Sequence, residues 1–141
     1  MVRNLKTLVF SVHSDGIEVA YYICETGGEE MKVFISADIE GVTGVTSWSE
    51  TRYGGQGYEE ACRQMGLEVK AACDAAIELG YEVVVKDGHE DALNLDPWQL
   101  PRGVQLIRGW RTSPEAMMGG LDATFDACLY LGYHSAEGTN S

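Results

Sequence analysis

The pattern of hydrophobic and polar residues becomes regular from Met31 onwards. Short, mostly apolar runs alternate with a long segment in which apolar residues recur every three or four positions, which predicts strands alternating with an amphipathic helix. The elements expected are a strand opening at Met31, a helix over 58–79, buried strands over 82–86 and 127–132, a short strand over 104–107 after a polar loop that contains Pro97, and a helical turn over 114–118. This rhythm predicts an α/β protein, an open layered fold with a mainly parallel sheet.

Two carboxylates, Asp38 and Glu40, stand where the first apolar run gives way to Gly41. Side chains alternate along a strand, so residues two apart share a face and these acids are expected to point the same way. Like charges at short distance repel unless a cation lies between them. The pair therefore predicts a divalent metal whose other ligands come from elsewhere in the chain.

Two histidines also follow predicted strands: His89 comes after the run 82–86, and His134 after the run 127–132. Ligands of open α/β sheets bind at the carboxyl ends of strands, so Asp38, Glu40, His89 and His134 are expected to converge on one crevice. Carboxylates and imidazoles together suit zinc or another borderline divalent ion. Each residue also has an ordinary alternative role, as a charge beside a loop, a turn residue or a core imidazole.

Composition limits the classes of partner. The formal net charge is −12 with a pI near 4.5, and only 10 Lys and Arg are present, which argues against nucleic acid and anionic membranes. No apolar window is long enough to span a bilayer and no signal-peptide core is evident, so a cytoplasmic location is expected. The four cysteines fit no CxxC spacing and are expected to be reduced.

Residues 1–30 differ from the rest of the chain. Two β-like runs, 8–12 and 17–24, flank Asp15-Gly16, and a polar break over 25–30 separates them from Met31. One interpretation is a leader or extension that is not native to the domain, with Met31 as the natural start. The alternative is a genuine edge hairpin.

Short motifs occupy the predicted strand ends and one loop: Ser36-Ala-Asp-Ile-Glu-Gly41, Lys86-Asp-Gly-His89 followed by Asn94-Leu95, Met117 or Met118 ahead of Gly120-Leu121-Asp122, and Leu131-Gly-Tyr-His134. In this order and at about this spacing, the motifs resemble those of the zinc D-aminopeptidases of the DppA type. The resemblance covers residue 31 to about residue 140 and leaves residues 1–30 aside.

The resemblance implies ligand roles for Asp38, Glu40, His89 and His134 in a two-zinc centre, with Asp38 as the bridge. Members of the family are metalloproteases, hydrolases that release an N-terminal D-amino acid from dipeptides and other short peptides. They assemble as homo-oligomeric rings whose sites face an inner chamber. Two metals at such a centre polarise the scissile carbonyl and stabilise the oxyanion.

The resemblance also implies residues that this sequence does not contain. Members of the family are considerably longer, and their last metal-binding Glu and a catalytic His lie downstream of the Leu-Gly-Tyr-His motif. The catalytic residues are therefore expected beyond Ser141, with 31–141 as the N-terminal half of a metallo-aminopeptidase domain, truncated at its C-terminus. We expect such a chain to bind zinc weakly and to be inactive alone.

Two other functions remain open from sequence. Asp38-Ile-Glu40-Gly41 is similar to the strand end of Mg-dependent phosphatases, in which Asp38 would be a covalent nucleophile. Imidazoles contribute little to magnesium sites, so His89 and His134 count against that function. The second alternative is a non-catalytic, metal-binding α/β fragment.

Overall fold

A computed structural model describes residues 31–110 and 115–135 of the chain. The possible hairpin around Asp15-Gly16 and the interpretation of residues 1–30 as an extension fall outside this part, as does Pro114, where a helical turn was expected to begin. All three remain predictions.

The described strands form one parallel sheet. They are β1 (Lys32–Ala37), β2 (Glu82–Asp87), β3 (Gln105–Ile107) and β4 (Ala127–Leu131). Their order across the sheet is β3-β2-β1-β4, and each neighbouring pair is parallel. Parallel pairing brings all the carboxyl ends to one edge. The predicted α/β fold with a mainly parallel sheet is confirmed.

The helix α1 (Tyr58–Glu78) connects β1 to β2. It begins after Gly57, whose φ of 89° is a conformation that favours glycine, and Glu59 and Glu60 place negative charge in its first turn, where the helix dipole favours it. Its end differs by one residue from the prediction. The buried stripe recurs at helical spacing: Ala61, Met65, Gly66, Val69, Ala72, Cys73 and Ala76.

Both faces of the central strands are covered. Val33, Ile35 and Ala37 of β1 belong to the core cluster that includes the buried stripe of α1. The alternate residue Phe34 is fully buried on the other face, where the ring of Phe125 meets it edge-on with centroids 5.1 Å apart. Double-sided burial explains why these strands read as continuous apolar runs.

Three features differ from the sequence predictions. Strand β1 ends at Ala37, so Asp38 and Glu40 lie in the turn that follows it, and strand alternation does not orient them. Strand β4 lies at the edge of the sheet formed by the described strands and is only partly buried, with Tyr130 58% exposed. A short 3-10 turn occurs at Pro97–Gln99, where only a loop was expected, whereas the 3-10 turn at Ala116–Met118 lies within the helical turn predicted over 114–118.

Cys62, Cys73 and Cys128 carry free thiols, whereas Cys24 lies outside the described residues. Burial raises the pKa of Cys73 to about 12, which keeps the thiol protonated in the core. Among the described helices, none has the length and apolarity needed to cross a membrane.

Candidate metal centre

The turn after β1 holds the two acids at the carboxyl edge of the sheet. Asp38 donates its backbone N–H to the carbonyl oxygen of Leu131 on β4 (2.8 Å), and its Oδ1 accepts the N–H of Ile39 (2.9 Å). Ile39 and Val42 are buried beneath the turn and anchor it to the core. Asp38 is itself buried, and the side chain of Glu40 is 14% exposed.

A carboxylate that is not part of the metal group shapes the loop after β2. Asp87 is fully buried and accepts the backbone N–H groups of Asn94 and Leu95 (both 2.7 Å) and the side-chain amide of Asn94 (2.9 Å). The same amide donates to the carbonyl oxygen of His89 (2.7 Å), and Tyr58 on α1 donates its hydroxyl to Asn94 Oδ1 (2.6 Å). These bonds fold residues 88–95 back on themselves and fix the backbone of His89.

The imidazole of His89 lies against both acids. Its Nδ1 is 3.0 Å from Asp38 Oδ1 and 3.2 Å from Glu40 Oε2. Its Nε2 is 2.6 Å from the carbonyl oxygen of Thr51. Ligand atoms of the three residues all lie within 4.8 Å of one another, which is close enough to share a single ion. Asp38, Glu40 and His89 therefore lie together at this edge of the sheet, and their roles as metal ligands stay predictions.

Charge is unevenly distributed in this group. Burial alone would lower the pKa of His89, but the hydrogen bond to Asp38, the Thr51 carbonyl and the negative charge of both acids raise it to about 9. Burial would raise the pKa of Asp38, yet its bonds with His89 and Glu40 lower it. Burial and the neighbouring Asp38 raise the pKa of Glu40. In the absence of metal, a proton on His89 balances the acids.

The residues present fit a metal ion. Glu40 Oε2 is buried and lies 3.2 Å from His89 Nδ1, but it accepts no hydrogen bond of good geometry and so has no well-aligned positive partner. A cation between the acids and His89 Nδ1 would supply that partner. Two carboxylates and one imidazole match the nitrogen and oxygen ligands of zinc.

His134 lies elsewhere on the same edge. It follows β4, but its imidazole is exposed, and its Nδ1 donates to the carbonyl oxygen of the next residue, Ser135 (2.8 Å). Its ring contacts that of Trp48, with centroids 6.2 Å apart. Among the described residues it is not part of the group formed by Asp38, Glu40 and His89. Its role as a metal ligand stays a prediction.

Sequence reasoning missed the residues that hold the ligands. Asp87 and Asn94 stand in the Lys86-Asp-Gly-His89 and Asn94-Leu95 motifs, but no role followed from the pattern. The available signal was an Asp at the end of the valine-rich strand, two residues after Val85, because a charge buried there needs several donors nearby. The contribution of Thr51 comes from a backbone carbonyl, which side-chain patterns do not reveal.

Comparisons with known proteins point to one family. A family model described as D-aminopeptidase matches residues 31–141. The D-aminopeptidase of Bacillus subtilis (strain 168) is 34% identical over 110 residues, covering 77% of this chain and 40% of that protein. A solved structure, the Zn-dependent D-aminopeptidase DppA from Bacillus subtilis, described as a self-compartmentalizing protease, aligns with a TM-score of 0.73 and 34% identity, with coverage of 77% and 40%. The chain thus spans about 40% of the length of these relatives.

Proposed function

This chain belongs to the D-aminopeptidase family, and on that premise we propose that residues 31–141 form a zinc-binding part of an enzyme that removes the N-terminal D-amino acid from short peptides. The observation that carries the proposal is the convergence of Asp38, Glu40 and His89, with a buried Glu40 oxygen that lacks a hydrogen-bond partner. The Zn-dependence of the structural relative supports zinc as the ion.

The three residues divide the work of holding the ion. Asp38 is fixed through its own backbone and its Oδ1 bonds, so it offers a rigid carboxylate, and His89 offers Nδ1 from a buried ring. Glu40 supplies Oε2, the buried oxygen that accepts no hydrogen bond of good geometry. Zinc in such a site acts as a Lewis acid toward the scissile carbonyl and the attacking water. We propose His134 as a further ligand and Asp38 as the bridge between two ions.

The size of the donor set bears on activity. Zinc is usually four-coordinate. The described residues bring three ligand side chains together, which are too few to complete the coordination of two zinc ions. We therefore propose that the 141-residue chain binds zinc but hydrolyses peptides poorly alone. Assembly into a homo-oligomeric ring and a cytoplasmic location are further parts of the proposal; the first is supported by the description of the relative as self-compartmentalizing.

The family and the chemistry of the site favour a peptidase over a magnesium phosphatase. In a phosphatase site Asp38 would attack phosphorus, yet its Oδ1 accepts bonds from Ile39 and His89, and an imidazole stands where magnesium would take an oxygen. A metal-binding fragment without catalysis has the same site and is separated from the peptidase by the experiments below.

Zinc competition with a chromophoric chelator tests the site in the 141-residue chain. We expect zinc to bind, and Asp38→Asn and Glu40→Gln to weaken binding because each removes a charged ligand. Glu90→Gln is the matched control, since Glu90 is an exposed acid in the loop that carries His89. Equal affinity in all four proteins would contradict the proposal.

A chimera tests the activity. Residues 31–141 replace the matching part of the Bacillus subtilis D-aminopeptidase, and hydrolysis of D-Ala-D-Ala is compared with that of L-Ala-L-Ala. We expect zinc-dependent cleavage of the D-peptide that is lost in the His89→Gln chimera. A folded chimera that binds zinc and cleaves neither peptide would favour the non-catalytic fragment.

A further inference from the structure

The side of His89 that faces away from the acids makes a contact of its own. Its Nε2 lies 2.6 Å from the carbonyl oxygen of Thr51, and both residues are buried. A backbone carbonyl only accepts hydrogen bonds, so Nε2 must carry a proton. When the imidazole loses its second proton, the nitrogen available to a metal is therefore Nδ1, the atom that faces Asp38 and Glu40.

The Thr51 carbonyl is itself held by a compact turn. Glu50 Oε2 accepts the backbone N–H groups of Thr46 (2.8 Å) and Ser47 (2.7 Å). One turn later, the N–H and the hydroxyl of Thr51 both donate to the carbonyl oxygen of Trp48 (3.4 and 3.2 Å). Thr51 is only 2% exposed although most of this loop is exposed.

Glu50 also ties this turn to the helix. A Cβ on Gly57 would lie 2.9 Å from Glu50 Cγ, so the stem of Glu50 packs against the residue that precedes α1. The bonds to Thr46 and Ser47 lower the pKa of Glu50, which keeps it a charged acceptor. The turn is thus fixed at both ends, by its own bonds and by the start of the helix.

We propose that residues 46–51, which we term the Glu50 turn, position the metal centre: the Thr51 carbonyl fixes the ring of His89 so that Nδ1, and not Nε2, binds the ion. Glu50 and Thr51 are positioning residues and do not touch the metal. The proposal rests on the proposed zinc site and adds the ligating atom and the element that selects it.

Ring orientation matters because an imidazole can rotate by half a turn about its Cβ–Cγ bond. In that rotated state a ring carbon would face Asp38 and Glu40, and no nitrogen would reach the ion. A hydrogen bond to the second nitrogen removes this alternative, as outer partners of metal-bound histidines generally do. Loss of the Glu50 turn should therefore weaken metal binding without removing a ligand.

Nitrogen NMR of the histidine-labelled chain identifies the ligating atom, with His89→Gln used to assign the signal among three histidines. On adding zinc we expect His89 Nδ1 to move to the metal-bound range while Nε2 stays protonated. In the metal-free chain we expect an Nε2–H that exchanges slowly with solvent. Zinc binding through Nε2 would overturn the inference.

Variants separate positioning from ligation. Glu50→Ala should weaken zinc binding by about 10–100-fold and speed exchange of the His89 Nε2–H, and Glu50→Gln, which keeps an acceptor, should recover most of both losses. Asp122→Ala is the matched control, because Asp122 likewise accepts a backbone N–H and a hydroxyl, both from Thr124. It should leave zinc affinity unchanged.

The outcomes distinguish this inference from the proposed function. A wild-type chain that binds no zinc overturns the proposed function, and the metal-free spectrum still decides the positioning of His89. If the Nε2–H of the wild type exchanges as fast as that of Glu50→Ala, the inference is wrong. The same holds if Glu50→Ala and Asp122→Ala bind zinc equally well.

Discussion

One histidine follows β2 and another follows β4, and the two differ in burial and in their hydrogen bonds. His89 is buried, with its two ring nitrogens in contact with different segments of the chain and its carbonyl oxygen bound by Asn94. His134 is exposed, and its one recorded ring hydrogen bond goes to the adjacent residue Ser135. The two histidines therefore share a position after a strand but differ in burial and in the hydrogen bonds of their rings.

The difference lies in how the chain leaves each strand. After β2, the buried Asp87 closes residues 88–95 into a loop that carries His89 inward. After β4, the contacts fix the backbone before His134: Gly41 donates its N–H to Gly132 (2.6 Å), and Tyr133 shares a hydrogen bond with Ser36 (2.7 Å). A metal ligand thus depends on the anchoring of its loop as much as on its own chemistry.

The largest effect is expected from Asp87→Ala, which removes the anchor that distinguishes the two strand ends. Three donors of Asn94 and Leu95 would lose their acceptor in the core. Because buried unpaired groups are costly, we expect the free energy of unfolding to fall by about 3–5 kcal/mol, measured by urea denaturation of the metal-free chain. Asp91→Ala, an exposed acid of the same loop, should change it by less than about 0.5 kcal/mol.

The next effect compares the histidines directly through zinc affinity. His89→Ala removes a buried ligand, and since loss of an outer partner already costs about 10–100-fold, we expect more than about 100-fold weaker binding. His134→Ala should cost less than that in the 141-residue chain, because its ring lies outside the group of three. Equal losses would show that His134 joins the centre when zinc is bound.

The fold was largely predictable because its signals are local. The valine run of β2 and the helical spacing of α1 each specify one element, and the parallel order of the strands brings their carboxyl ends together. That argument also placed Asp38, Glu40 and His89 near one another. The predicted orientation of the two acids rested on the wrong reason. Strand β1 ends before Asp38, so the turn after the strand, and not strand alternation, orients both side chains.

The rest of the site depends on interactions between residues far apart in sequence. The bond from Tyr58 to Asn94 joins residues 36 positions apart, and that from His89 to the Thr51 carbonyl joins residues 38 positions apart. The periodicity of hydrophobic residues along the sequence does not reveal contacts between such distant residues. The burial of β4 was overestimated for a related reason: Ala127–Leu131 is apolar, but a strand at the edge of the described sheet has a neighbour on one side only.

A smaller effect is expected where the residues directly after β1 and β4 contact each other. A Cβ on Gly132 would collide with the carbonyl oxygen of Asp38, and its φ of +67° adds strain. We expect Gly132→Ala to lower the free energy of unfolding by about 2–3 kcal/mol. Gly103→Ala is the matched control, because φ is +93° there but a Cβ meets nothing within 4 Å, so only the strain of about 1 kcal/mol remains. Equal losses of stability in the two variants would mean that the contact between Gly132 and the backbone of Asp38 is not tightly packed.

The smallest effect is the contribution of the buried His89 to the pH dependence of the metal-free chain. Burial by itself lowers the pKa of His89, but its bonds to Asp38 and Thr51 and the nearby acids raise it from 6.5 to about 9. A raised pKa means that the folded chain holds this proton more tightly than the unfolded chain. The stabilisation is therefore complete below pH 6.5 and is lost as the pH rises through 9.

We expect the melting temperature of the metal-free chain to fall by on the order of 5 °C between pH 6.5 and pH 9, followed by circular dichroism with a chelator present. His89→Gln should remove most of this fall, because it removes the group whose pKa is raised. Subtracting the His89→Gln curve also removes the contribution of thiols, which ionise in the unfolded chain near pH 9. A fall of the same size in His89→Gln would assign the pH dependence to groups other than the candidate centre.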